Sequence, residues 1–450
     1  MRVGLYLQDT SKSEEALKKE FDKMMGEAAK SKLDLLVFPE QAWCPLAEEY
    51  EKIDYDTQSK DEIRDTVHKT IGYLVEKTNC PIVFNRMLTD DSIMSIYTHE
   101  KASYVQYLKH IATNLSPFSY DCYEDDILNN GFYNPIDSGS FKLGLTVCYD
   151  STDPLLNRVW GLSGVDLIAN STGGHVDYKK WTSYQKVRAI ENNAFTVCTM
   201  AHYDPSKKNH SYAMGFDPWG RPLQFENAEE KVRSGREFPE KPGELYVAEL
   251  DLSMRNATTK TGVIDTYINQ EATVNKQQDV ILDPETLTEL LSSSLCLELA
   301  KGLYHRRING VDLIYVVVEG KDVYRPEVIQ PLFYAPELKR LANKRYILIN
   351  RWNALDYNEY ACFLLPTLRV RAAENYCACL LISDLMFECI QVGRNKNSQV
   401  VAKEKKGFGI DLGRASGPEA LWQTKQLGIH KDWRANYEKL VRFCYEKALR

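Results

Sequence analysis

The chain has 450 residues, 44% of them hydrophobic and 26% charged, with a formal net charge of −7. That length exceeds what one core ordinarily holds and predicts two domains, or one large domain with a substantial appendage. The composition is that of a soluble globular protein, and the acidic balance excludes wholesale binding to nucleic acid or to an anionic membrane.

In chain order, the patterns predict strand Arg2–Leu7, helix Glu14–Lys30, strand Leu33–Phe38, helix Lys60–Lys77, strand Ile82–Met87, and short strands near Ile93–Thr98 and Ala102–Leu108. A polar loop, Ser116–Ser138, precedes strand Phe141–Val147, helix Pro154–Gly161, strand Leu167–Asn170, helix Lys180–Asn192, strand Ala194–Met200, a strand near Ser211–Phe216 and strand Leu245–Leu250. Asp217-Pro218-Trp219-Gly220 is turn chemistry. Strands alternating with helices over short connections predict a layered α/β fold. Near Ser253–Asp283 apolar periodicity gives way to Thr, Asn, Lys, Gln and Asp, which marks a boundary. Beyond it the patterns predict helix Pro284–His305, strand Val311–Val318, helix Pro336–Asn343, strand Tyr346–Ile349, helix Pro366–Tyr376 and strand Cys377–Ile382. A final helix has Trp433, Tyr437, Leu440, Val441, Cys444 and Ala448 on one face.

The apolar run at Met1–Asp9 is too short for a signal peptide and no later run reaches membrane-spanning length, so a cytoplasmic protein is expected. Eleven cysteines, an odd count scattered through apolar runs, suit reduced buried thiols better than disulfides. Cys377-Ala378-Cys379 is too close for zinc spacing and has no second pair; neither metal nor cofactor is expected.

Two phrases recur between the halves: Gly164-Val165-Asp166-Leu167-Ile168 with Gly310-Val311-Asp312-Leu313-Ile314, and Val187-Arg188-Ala189-Ile190-Glu191-Asn192 with Val370-Arg371-Ala372-Ala373-Glu374-Asn375. Either this is chance among helix and strand formers, or the second half holds a decayed, incomplete copy of the first. No Cys-Tyr-Asp recurs, so a copy would lack the chemistry described next.

Three strand patterns end on chemistry-bearing residues: Glu40 after Leu35–Phe38, Lys109 after Tyr104–Leu108, and Cys148 after Leu143–Val147. Open α/β sheets place reactive groups at strand ends. A carboxylate base, a cation and a thiol in such positions point to covalent catalysis. Each residue alone has a blander reading: a small buried hydrophobe, a helix-terminus carboxylate, a solvent-facing lysine.

Phe38-Pro39-Glu40, Tyr107-Leu108-Lys109-His110 and Val147-Cys148-Tyr149-Asp150, followed by Arg188-Ala189-Ile190-Glu191-Asn192 and Asp217-Pro218-Trp219-Gly220, resemble in order and spacing the motifs of the nitrilase (carbon–nitrogen hydrolase) superfamily. The resemblance runs over Arg2–Leu252. It implies a nitrilase-like α-β-β-α sandwich over residues 1–255; beyond it the residue patterns give a linker at 256–283 and a smaller C-terminal α/β region at 284–450 whose role they leave open. It implies Cys148 as nucleophile, Glu40 as general base, and Lys109 with the backbone N–H of Tyr149 as stabilisers of anionic charge. Glu124 resembles a second active-site glutamate that orients Lys109; its neighbours Asp125 and Asp126 leave the register open, and a solvated acidic loop is the alternative. In the polar loop after Asn170, His175 is a substrate-contact candidate, against the plainer reading of an exposed loop histidine. Arg188 and Glu191 read as a structural ion pair along a helix. Ser151-Thr152-Asp153-Pro154 stands where many relatives carry an Arg-Phe-Pro-Glu-like run, which alters the substrate geometry at that turn.

The activity so implied is a thiol hydrolase acting on a small-molecule amide or carbamoyl compound, a nitrile less so, through a thioester. The alternatives are an acyltransferase using the same thioester and a ligand-sensing module acting through the C-terminal region. The resemblance also implies a homodimer or larger assembly. Val401–Arg450 holds eleven Lys and Arg against six Asp and Glu, which favours an anionic or protein partner there, a solvated face being the alternative.

Overall fold

The computed structural model describes residues 1–44, 60–89, 92–100, 103–109, 135–152, 154–173, 178–202, 211–226, 228 and 237–255, and, further on, 280–282, 297–300, 303–308, 311–326, 345–375, 378–383, 387–392, 398–402 and 408–410. Packing divides the chain into two compact units, Met1–Thr259 with Glu446–Arg450, and Lys260–Tyr445.

The first unit runs β1 (Arg2–Asp9), α1 (Glu14–Lys30), β2 (Leu35–Val37), α2 (Lys60–Thr78), β3 (Ile82–Thr89), β4 (Ser92–Glu100), β5 (Ser103–Leu108), β6 (Ile136–Asp137), β7 (Lys142–Val147), α3 (Pro154–Leu162), β8 (Leu167–Thr172), α4 (Tyr178–Asn192), β9 (Phe195–His202), β10 (Met214–Phe216) and β11 (Glu244–Glu249). The strands follow the order β5-β4-β3-β2-β1-β9-β8-β7-β6, with β10 beside β9 and β11 beside β1. This is a mixed sheet with two wings, joined where Gln8 and Asp9 pair with Ala201 and His202. β1–β3 are parallel in one wing and β7–β9 in the other. Their strands therefore end together, and Glu40 and Cys148 both follow such ends.

α1 forms because Leu17, Phe21, Met24, Met25 and Ala28 fall on one buried face, with Glu14 and Glu15 in the first turn and Lys30 in the last complementing the helix dipole. Phe21 packs edge-on to Tyr6 of β1 at 6.4 Å and to Trp43 at 5.9 Å, and Phe38 meets Phe84 of β3 at 5.4 Å. Burying each such ring is worth about 1.5–3 kcal/mol, which fixes the residues flanking Glu40. In the other wing, Gly144 of β7 lets α3 approach: a Cβ there would lie 2.7 Å from the Trp160 ring, whose Nε1 donates to Leu145 O at 3.1 Å. The Arg188–Glu191 pair expected on a helix is present on α4, almost wholly buried.

The second unit contains β12 (Val280–Leu282), β13 (Leu297–Ala300), β14 (Leu303–Ile308), β15 (Val311–Glu319), β16 (Arg345–Trp352), α5 (Leu365–Asn375), β17 (Ala378–Ser383), β18 (Phe387–Val392), β19 (Ser398–Ala402) and β20 (Phe408–Ile410). β13 to β19 form one sheet in sequence order, parallel from β15 to β17 and antiparallel outside them. β12, inside the stretch read as linker, pairs with β20.

The helix expected over Pro284–His305 is not formed where that span is described: Leu297–Ala300 and Leu303–Ile308 are antiparallel strands. Short apolar runs fit either period, and pairing with the Val/Ile-rich β15, with Tyr304 stacked on Tyr315 at 5.6 Å, decides for strand. The expected helices at 336–343 and 433–448 lie outside the described residues. Among the described residues no helix is long and apolar enough to cross a membrane.

Candidate active site

Glu40 sits just past β2, in a loop held from two sides. Phe38 N donates to Val83 O at 2.9 Å and Glu40 N to Thr172 O, at the end of β8, at 3.4 Å. The buried Gln8 side chain of β1 clamps the outgoing chain, donating to Trp43 O at 2.9 Å and accepting from Trp43 N at 2.7 Å. Gln41 turns the chain at φ 53°.

Lys109 directly follows β5, and its Nζ lies 2.8 Å from Glu40 Oε1. Both side chains are nearly sealed from solvent, at 2% and 7% exposure, so the pair is a buried one. Burial opposes the ammonium charge, but Glu40, then Cys148 and Asp150, outweigh it and hold the Lys109 pKa above the ordinary lysine value.

Cys148 ends β7 and opens a five-residue 3-10 turn, Cys148–Thr152. Its φ of 48° is a left-handed backbone that a non-glycine residue adopts only at a cost, and such strain gathers at functional sites. The turn is pinned underneath: Asn170 Nδ2 donates to Cys148 O at 3.3 Å and to Thr146 Oγ1 at 3.0 Å, and Arg188 Nε donates to Ser151 O at 2.7 Å. The Asn170 amide oxygen accepts from Thr172 Oγ1 at 2.6 Å and Cys198 Sγ at 3.2 Å, so that side chain is fully used.

Burial pushes the Cys148 thiol well above the ordinary cysteine value, and the Glu40 carboxylate adds to the rise; Lys109 and the backbone N–H of Gly173 pull the other way. Glu40, Lys109 and the Gly173 N–H are therefore the groups that act on the charge of this sulfur. The resting sulfur is thus held as a thiol under the influence of a carboxylate, with an ammonium and an amide N–H that favour any negative charge that forms.

Asp150 links the lysine strand to this turn. Its Oδ2 accepts from Tyr107 OH of β5 at 2.8 Å and from Val147 N at 3.1 Å, and its carbonyl accepts from Asn157 Nδ2 at 2.8 Å. Tyr149 is the second residue of the 3-10 turn, its ring edge-on to Trp181 at 5.5 Å with Lys180 Nζ 5.2 Å above it.

The geometry brings together Glu40, Lys109 and Cys148, with Tyr149 beside the sulfur in sequence. Glu124 and His175 lie outside the described residues. Sequence reasoning passed over Gly173, Asn170, Asp150 and Gln8. The available signal was polarity inside apolar strands: Asn170 closes Leu167-Ile168-Ala169, and Gln8 follows Leu5-Tyr6-Leu7. Among the described residues no group of three or more His, Cys, Asp or Glu side chains is arranged to hold a metal ion.

A family model described as carbon-nitrogen hydrolase matches residues 7–259. A deaminated glutathione amidase of Synechocystis sp. (strain PCC 6803 / GT-S) is 34% identical over 95 residues, covering 20% of this chain and 35% of that protein. The nitrilase and fragile histidine triad fusion protein NitFhit of Caenorhabditis elegans is 35% identical over 95 residues, covering 19% of this chain and 20% of that protein. The chain thus spans about a third or less of the length of the curated relatives it matches. Among solved structures, a carbon-nitrogen hydrolase from Helicobacter pylori G27 superposes with a TM-score of 0.40 at 17% identity, covering 56% of this chain and 90% of that one.

Proposed function

The chain belongs to the carbon-nitrogen hydrolase family, and from that premise we propose that it is a thiol hydrolase cleaving a non-peptide amide or carbamoyl C–N bond through a thioester on Cys148. The observation that supports this reading is that one buried carboxylate, Glu40, is ion-paired to the Lys109 ammonium at 2.8 Å, and that both act on the charge of the buried Cys148 thiol.

Glu40 accepts the thiol proton as Sγ attacks the carbonyl carbon, forming the S–C bond and placing the electron pair on oxygen. Lys109 and the Tyr149 N–H stabilise that oxyanion; donors fixed in a dry site need no reorganisation as charge develops. Collapse breaks the C–N bond, and the proton held by Glu40 goes to the leaving nitrogen. Water then adds to the thioester and gives its proton to Glu40, and the acid leaves with Cys148 again a thiol. Glu124 takes the part of a second carboxylate that orients Lys109.

Ammonia or amine release from a panel of amides, carbamoyl compounds and nitriles, run beside Cys148→Ala with intact-mass detection, tests the reading. The expected result is turnover of amide or carbamoyl members, an acyl mass increment on Cys148, and none of either in the variant. Full turnover by Cys148→Ala overturns it.

A further inference from the structure

The turn under Cys148 has a counterpart in the second unit. β15 is followed by a five-residue 3-10 turn, Gly320–Tyr324, as β7 is followed by Cys148–Thr152. The first residue of each has φ 48°. In both units three parallel strands lie side by side, β7-β8-β9 and β15-β16-β17. The registers agree: Asn170 of β8 lies opposite Thr146 and Cys198, and Asn350 of β16 opposite Val318 and Leu381.

The fastenings agree as well. Asn350 Nδ2 donates to Gly320 O at 3.1 Å, as Asn170 Nδ2 does to Cys148 O. Arg371 Nε donates to Val323 O at 3.2 Å, as Arg188 Nε does to Ser151 O, each acceptor three residues beyond the left-handed residue. Arg371 pairs with Glu374 at 2.8 Å, buried, as Arg188 pairs with Glu191. Both pairs lie on the helix that leads into the third parallel strand.

We infer that residues 311–392 are a second copy of the half that carries Cys148, with Gly320 in the nucleophile's position, so that the chain has two turns of one build and a single thiol to use.

The differences fall where chemistry sits. Asp150, buried between Tyr107 OH and Val147 N, corresponds to Asp322, half-exposed and paired with Arg325 at 3.2 Å. Thr172 and Cys198, which donate to the Asn170 amide oxygen, correspond to Trp352 and Leu381; among the described residues the Asn350 amide oxygen has no hydrogen-bond partner. Asn350 is thus kept for the bonds that hold the turn. Side chains common to both copies, Asn, Arg and Glu, are accordingly positioning residues for the turn, and those found only in the first serve the sulfur. Only this last assignment rests on the proposed thiol chemistry.

The test makes matched substitutions in the full chain and reads backbone hydrogen exchange and kinetics. Asn170→Ala should speed exchange over 148–152, and Asn350→Ala over 320–324, each by about tenfold or more and each confined to its own turn. Asn170→Ala should also lower kcat at least about tenfold with KM little changed, because the sulfur is displaced, whereas Asn350→Ala should leave both unchanged. Unchanged exchange at 320–324 in folded Asn350→Ala overturns the equivalence, whether or not any turnover is found. In a Cys148→Ala chain, Gly320→Cys adds a Cβ that meets nothing within 4 Å. It should fold, be alkylated by iodoacetamide at that position and release no ammonia from the amide panel. Turnover by that variant overturns the assignment of the second turn as non-catalytic.

Discussion

Cys148 and Gly320 occupy turns with the same φ, the same amide clamp and the same arginine brace, yet one faces a carboxylate and an ammonium while the other carries no side chain at all. The contrast separates two demands that a single active site confounds. Holding a left-handed residue at the end of a parallel strand needs an asparagine on the next strand and an arginine–glutamate pair on the following helix. The groups proposed to make that residue react, Glu40 and Lys109, come from elsewhere, from the wing that the 311–392 segment does not repeat. The buried Arg188–Glu191 pair, matched by Arg371–Glu374, therefore braces the turn without taking part in the reaction proposed at the sulfur.

The sharpest way to break the comparison is at Lys109. Lys109→Met leaves the Glu40 carboxylate buried without its counter-ion, which should cost about 3–5 kcal/mol of stability and lower amide turnover by about a hundredfold or more. A stable, active variant, by thermal unfolding and initial rates, would sink the assigned role. Next come the two arginines. Arg188→Met and Arg371→Met each strand a buried glutamate and should each destabilise their own unit by about 3–5 kcal/mol. Hydrogen exchange resolved by segment distinguishes the units, and only Arg188→Met should affect turnover.

A smaller effect follows from protonation. Burial holds Cys148 well above the ordinary thiol value and pushes Cys198 up to about 12. The folded unit therefore binds those protons more tightly than the unfolded chain, in which thiols ionise near about 8.5. That stabilisation is complete below the unfolded value and is lost as pH climbs towards the folded-state values. Urea midpoints of the first unit should fall as pH rises above about 8.5, and Cys148→Ala with Cys198→Ala should flatten the slope; an unchanged slope would show that these thiols do not govern it. The smallest effect is steric. Gly320→Ala places a Cβ at φ 48° in open space, so the cost is backbone strain alone, about 1–2 kcal/mol, readable as a shift in unfolding temperature.

The sequence revealed the first unit better than the second for a physical reason. Leu35-Leu36-Val37 and Leu143–Val147 are buried, mostly parallel strands bounded by turn residues, and Glu40 and Cys148 follow their ends, so local pattern and proposed site coincide. In the second unit, β14 exists because β15 pairs with it and β13 because β14 does, and a pairing partner leaves no mark in a local window. The repeated phrases divide on the same ground. Val187–Asn192 and Val370–Asn375 occupy equivalent helices because the arginine and glutamate must meet at a helical spacing of three. Gly164–Ile168 leads into β8 but Gly310–Ile314 into β15, which corresponds to β7, so that likeness is only the common vocabulary of strand starts. Asn170 and Asp150 escaped notice because what distinguishes them is the partner they reach across the sheet.

The positive φ at Cys148 has a genetic corollary. Glycine is the residue that rests there without strain, and the codons for cysteine lie a single base away from codons for glycine. A point mutation at that triplet would silence the sulfur and relax the backbone together, so selection on folding alone would never preserve the thiol. Its presence in one copy therefore records a demand placed on what the chain does, over and above how well it folds.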